Sequence, residues 1–388
     1  MFKRIIYWAG SLKLALVLVI ILILLSFTAL VIPQQSEFSS VDIEFWSDQN
    51  PGLASFASVL GFFSVFRSIP FLIVIVLFAV NILICTILHL SGLKESSNSI
   101  RKRGIRTTGF LLLHIALIGI LAGGFITTAL GKDGNIILTE GQVFANKAEN
   151  YIKLTKGSFS SMSDKNFLVR LSKVKIKYEN KVIPVKVLTT LDFKSKSEEK
   201  NGIDIEVNKP YSFEGFDFTQ DEIGFSPRII IRDPLKRKLM MNSFVALKTF
   251  REGENWQYRD FLPLPFLKNK VILTLFPDHK KDGNVIRKTS ELAGKPVLLF
   301  EERDEKDELV SSGIIPFRGS SKIGDYLFEF VELRYWASFR VVDDPGYIVF
   351  GLSIWLALFS LILRYSEDLI SLFKKEGRNN SFLTGVNK

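Results

Sequence analysis

The sequence predicts a membrane protein with four α-helical transmembrane spans and a large extracytoplasmic all-β domain. Residues 14–32, 69–88, 107–130 and 346–363 contain no Asp, Glu, Lys or Arg. About 20 such residues, rising ~1.5 Å each, cross a ~30 Å hydrocarbon core. Between the third and fourth stretches the pattern changes to short alternating runs. Phe167, Val169 and Leu171 alternate with polar neighbours, and 182–190 is rich in β-branched residues. Lys and Arg cluster on one side only, which fixes an expected orientation.

In chain order, residues 1–13 form a cytoplasmic N-terminus and 14–32 the first span. That span is too long for a signal-peptide core, and Val31-Ile32-Pro33-Gln34 is not a small-x-small cleavage site, so a retained anchor is expected. Residues 33–68 form an outer loop. Its stretch 53–66 mixes small and aromatic residues, as an interfacial helix or a packed loop does. The second span is 69–89, and 90–106 is a basic cytoplasmic loop with Lys94, Arg101, Lys102, Arg103 and Arg106. The third span is 107–130, the β-rich domain 131–345, the fourth span 346–364 and the cytoplasmic tail 365–388. Lys3, Arg4 and Lys13 precede the first span, and Lys374, Lys375 and Arg378 follow the last. The loop 33–68 carries only Arg67 against Glu37, Asp42, Glu44 and Asp48. Both termini are therefore expected in the cytoplasm, and the protein in a cell inner (plasma) membrane.

Composition excludes several functions. The net charge of +10 reflects the flanks of the spans and calls for no nucleic acid. The single cysteine, Cys85, allows no internal disulfide, no CxxC redox pair and no CxxCH haem attachment. In the β domain, turns are expected at Glu179-Asn180, Asn201-Gly202, Asp282-Gly283 and Gly319-Ser-Ser. The run Glu301–Glu308 reads as a solvated hairpin tip.

The chemistry points to His114, an ionisable residue within the third span. Such a residue is costly in hydrocarbon and is a functional candidate by default, and imidazole is the usual protein ligand of haem iron. The bland alternative is a histidine bonded to a neighbouring helix. At about 100° per residue, Ala116, Gly119, Gly123 and Thr127 lie on the opposite face, a small-residue surface for close packing. His114 shares its face with Ile118, Leu121 and Phe125, so a partner helix or a flat apolar ligand is expected there. In the second span Asn81, Cys85 and His89 share a face. Asn81 reads as an interhelical hydrogen bonder and Cys85 as a packing residue. His89, at the cytoplasmic boundary, is either an interfacial histidine or a further cofactor contact. His279 has no second ligand near it in the sequence and reads as a surface residue.

These residues resemble the ResB (CcsB-type) cytochrome c biogenesis family. The resemblance rests on Pro33-Gln34, on Phe66-Arg-Ser-x-Pro-Phe71 followed by Asn81-x-x-x-Cys85-Thr86, and on His114 with Gly119, Gly123, Gly124 and Glu140-Gly141. Ile205-Glu-Val-Asn-Lys-Pro210 with Glu214-Gly215 and Gln220, then Asp344-Pro345-Gly346, complete it. Residues 194–200 depart from the family, being short and charged where an aromatic Pro-Gly stretch is usual.

The resemblance implies system II assembly of c-type cytochromes. A ResB-type protein there pairs with a CcsA/ResC-type protein, binds haem b transiently and delivers it to apocytochrome c. His114 would be a haem axial ligand, with His89 a lesser candidate, and no metal beyond haem iron is implied. The chain would be the non-catalytic subunit of the synthase complex. The rival is a membrane-anchored β-domain scaffold or ligand sensor without haem.

Overall fold

The computed structural model describes residues 2–35, 38, 40–93, 100–157, 159–161, 165–179, 183–252, 255–282 and 285–383. Lys94 and the turn residues Asn180 and Gly283 lie outside them. Contacts divide the chain into a membrane unit (1–131, 156–160 and 344–388) and a β unit (132–155 and 161–343).

The membrane unit contains α1 (Phe2–Ala9), α2 (Leu12–Val31), α3 (Ser40–Gln49), α4 (Pro51–Leu60), a 3-10 helix (Phe62–Arg67), α5 (Ile69–Leu93), α6 (Ile100–Leu130) and α7 (Tyr347–Leu383). Leu12–Val31, Ile69–Ser91, Gly104–Leu130 and Tyr347–Ser366 are long and apolar enough to cross a membrane. A break at Gly10-Ser11 separates α1 from α2. Ser11 caps α2 by accepting the Leu14 N–H. The Asn81 amide of α5 donates to the carbonyls of Ala9 and Ser11 at 2.6 and 3.2 Å. Lipid cannot satisfy such carbonyls, so a side chain must.

The stretch 53–66 is not one helix. Gly61, at φ 72°, ends α4, and the 3-10 helix follows. Buried Gln34 fastens this turn. Its amide donates to the carbonyls of Ile32 and Phe62, and its oxygen accepts the Val65 N–H. Ile32, Ala57, Phe62 and Val65 close over it.

A seam of glycines joins α6 to α7. A Cβ at Gly109 would lie 2.8 Å from the backbone N of Arg364, and one at Gly123 2.7 Å from that of Phe350. A Cβ at Gly119 would strike Ser353 Oγ, and one at Gly346 the Gly123 carbonyl. The helices therefore run antiparallel with backbones nearly touching, as small residues permit in lipid. Asp344 accepts the Thr127 hydroxyl at 2.6 Å and the Gly346 N–H at 3.0 Å, starting α7 in register.

The β unit holds sheets of seven, five, four and two strands among the described residues. The long strand Tyr326–Asp343 lies between Lys132–Thr139 and Phe216–Asp233, all antiparallel. The four-stranded sheet runs Val143–Ala145, Phe167–Glu179, Ile183–Ser195, Glu199–Glu206. Alternation in the sequence becomes alternation in burial: Phe167, Val169 and Leu171 are buried, whereas Leu168 and Arg170 are exposed. Two cores result. One gathers Phe193, Phe218 and Phe339 with Val169 and Leu171. The other gathers Phe225, Phe328 and Phe330 with Leu273 and Leu298. Each side chain so buried contributes roughly 1.5–3 kcal/mol. Buried Asp343 binds Lys132 at 2.8 Å and Lys165 at 3.1 Å.

Three sequence expectations change here. Asn201-Gly202 is not a turn but lies inside strand Glu199–Glu206, where the ladder shifts register and Gly202 takes φ 70°. The charged run 301–308 is a tip only over its second half. Glu301, Glu302 and Arg303 belong to strand Val297–Arg303, and buried Glu302 accepts Asn269 and Ser311. Gly319-Ser-Ser is not a turn. It opens strand Gly319–Ile323, which pairs with Tyr326–Phe330 in a tight hairpin.

Candidate functional site

His114 lies on α6 and is half-buried. Its Nδ1 is 2.9 Å from the Phe110 carbonyl one turn earlier. A carbonyl only accepts, so Nδ1 carries the proton, and in the neutral ring Nε2 keeps its lone pair. Nε2 has no hydrogen-bond partner among the described residues. That is the state in which imidazole ligates a metal, with the second nitrogen holding the ring in orientation. The donor fits a haem iron. Among the described residues no cluster of three or more His, Cys, Asp or Glu offers a conventional metal cage.

Phe110 organises the surroundings. Its ring centroid lies 3.9 Å from that of His114 and 4.1 Å from that of His89 on α5. The structure thus brings the two sequence-predicted histidines to one phenyl ring. The guanidinium carbon of Arg364, on α7, lies 5.3 Å from the same centroid. Gly109 makes this possible, because without a Cβ it lets the Arg364 backbone come within contact of α6. Neither Phe110 nor Arg364 was singled out by the sequence. Arg364 ends an apolar run and reads as a flanking charge. Its signal would have been Gly109, spaced along α6 as a further member of the Gly119 and Gly123 stripe.

The small-residue stripe of α6 faces α7, with Ala116 fully buried. The His114 side faces α5 of the same chain. Leu121 and Phe125 line a cavity of about 460 Å³ with Phe71, Leu72 and Ile75 of α5. That side, expected to meet a partner helix or a ligand, meets an intramolecular helix loosely.

The other candidates are placed elsewhere. Asn81 bonds the α1–α2 break, and Cys85 is a free thiol beside Gly10. His279 Nδ1 bonds the Lys295 carbonyl in the β unit. The β unit has a cavity of about 250 Å³ lined by Tyr178, Phe225, Trp256, Tyr258 and Tyr335, with Asp221 and Glu222. The Tyr258 hydroxyl donates to buried Glu291 at 2.9 Å. Burial, then the Glu291 charge, push that phenol far above its usual range, so it stays a neutral donor. Lys288, over the Tyr258 ring, bonds the same Glu291.

Most of the motif residues that suggested a family have structural tasks. Gln34, Asn81, Gly119, Gly123 and Asp344 hold the helices. Glu140 accepts the N–H groups of Val174 and Tyr335, and Gln220 accepts the Thr189 hydroxyl. Glu214 and Gly215 take positive φ in a tight turn. His114, with one nitrogen unengaged, is different.

No curated protein matches this sequence significantly. The model of the ResB-like family matches residues 12–99 and 94–366. Nearly the whole folded chain is covered, both the four helices and the β unit. The chain therefore belongs to the ResB-like family, as a membrane-embedded component of cytochrome c biogenesis.

Proposed function

We propose that this protein binds haem b transiently within the membrane and, with a CcsA/ResC-type partner, delivers it to apocytochrome c. The observation that carries the reading is the unengaged Nε2 of His114, its tautomer set by the Phe110 carbonyl. Haem is the cargo. His114 holds the iron from this chain, and the second axial ligand comes from the partner. His89, against the same phenyl ring, is a lesser contact at the edge of the site. The chain is the non-catalytic subunit, and thioether formation belongs to the partner. The distribution of Lys and Arg supports cytoplasmic termini and an extracytoplasmic β domain.

The test is the visible spectrum of the complex purified with wild-type and variant chains. His114→Ala is expected to remove the transmembrane haem band and to abolish cytochrome c maturation, at unchanged protein level. His89→Ala is expected to perturb the band less. A band indifferent to His114→Ala would sink the assignment. It would favour the alternative, a haem-free scaffold or ligand sensor, for which the aromatic cavity of the β unit is the supporting observation.

A further inference from the structure

We infer that Arg364 is the carboxylate receptor of the site, taking a propionate of the tetrapyrrole ligated at His114. This rests on the haem reading above and adds a residue from a different helix.

An arginine at the end of a membrane span needs a headgroup or another anion to take its charge. No carboxylate among the residues with described side chains pairs with Arg364. Its guanidinium lies over the rings of Phe110, at 5.3 Å, and Tyr365, at 5.9 Å. Both are π-faces, which stabilise a cation without consuming its N–H donors. The guanidinium therefore keeps its planar fork for an anion, and that fork matches a carboxylate in two-point geometry.

Position supplies the second part. Gly109 brings the Arg364 backbone against α6 one residue before Phe110, and Phe110 stacks on His114. Arg364 and His114 lie against the same phenyl ring, 5.3 and 3.9 Å from its centroid. A ligand held at Nε2 is flat and apolar across most of its area and carries two carboxylates at one edge. Apolar rings, one imidazole and one arginine meet those requirements. A lipid phosphate could occupy the same fork, so the experiment must separate the two anions.

The full-length chain in phosphatidylcholine nanodiscs is titrated with haem and with haem dimethyl ester, whose propionates are uncharged. Binding is read from the Soret band. Wild type is expected to prefer the free acid by roughly tenfold, the scale of one charge-assisted hydrogen bond. Arg364→Gln should abolish the preference by weakening the free acid alone, and Arg364→Lys should restore part of it. The ester serves as the folding control, since its binding should survive in both variants. Equal affinity for acid and ester in wild type, or a preference that persists in Arg364→Gln, overturns the inference and leaves Arg364 to the headgroups. His114→Ala should remove ligation of both compounds. Ligation that persists there overturns the proposed function itself, and this inference with it.

Discussion

The membrane unit and the β unit use apolar residues in opposite ways. In the β unit, Phe193, Phe218 and Phe339 are wholly buried and polar neighbours are turned outward. In the membrane unit, Leu30 is 79% and Trp355 72% exposed, because lipid, not protein, is their solvent. Hydrophobicity therefore drives the folding of one unit but not helix association in the other. The helices are held by absences of side chain, at Gly109, Gly119, Gly123 and Gly346, and by a few amides such as Asn81 and Gln34. In such a setting a polar group without a structural partner stands out. His114, whose Nε2 is unengaged among the described residues, and Arg364, which pairs with no described carboxylate, are conspicuous for that reason, whereas a histidine such as His279, among many polar neighbours, is not.

The comparison breaks first at the seam. Gly123→Leu must push against the Phe350 backbone, which cannot yield as a side chain does. It is expected to cause the largest loss, a several-fold fall in membrane-inserted chain by quantitative immunoblot. A normal level would show that α6 and α7 are not bound by backbone proximity.

The β unit should respond next most strongly to Asp343→Ala. That change leaves the nearly buried Lys132 without its partner, costing about 3–5 kcal/mol. Thermal unfolding followed by tryptophan fluorescence measures it, and a shift below a degree would refute the buried-pair argument. Smaller again is Gln34→Ala, which strands the Val65 N–H and two carbonyls at a cost of ~1–3 kcal/mol. Limited proteolysis between residues 50 and 68 should detect it.

The smallest expected effect is electrostatic. Hydrogen bonds from Lys209 and Lys186 hold the partly exposed Glu206 down at about 2, against an ordinary 4.5. A folded value below the unfolded one stabilises at neutral pH, and the benefit disappears as pH falls from about 4.5 towards 2. The carboxylate contribution that separates Glu206→Gln from wild type should thus be full at pH 7, small near pH 2 and lost below it. A difference that grows with acid would reverse the sign.

The spans and the β class were legible in the sequence because both rest on periodicity and length. His114 was legible for the same reason, as a polar residue in an apolar run. What could not be read was pairing across distance. Nothing local announces that Lys132 lies opposite Asp343, or that Arg364 crosses α6 at Gly109. The same blindness hid buried Glu302, which Asn269 and Ser311 reach from a bend and a neighbouring strand. It also misread Gly319-Ser-Ser, where turn-forming residues are carried in a ladder by the strand beside them.

The rung that joins Lys132 to Asp343 makes the β unit begin and end at neighbouring positions. A polypeptide with adjoining ends can be cut open elsewhere and resealed there. Linking 343 to 132 and opening the chain at the Asp304–Glu308 tip would give a circular permutant that keeps the strand pairings, a reagent for asking whether this module binds a polypeptide.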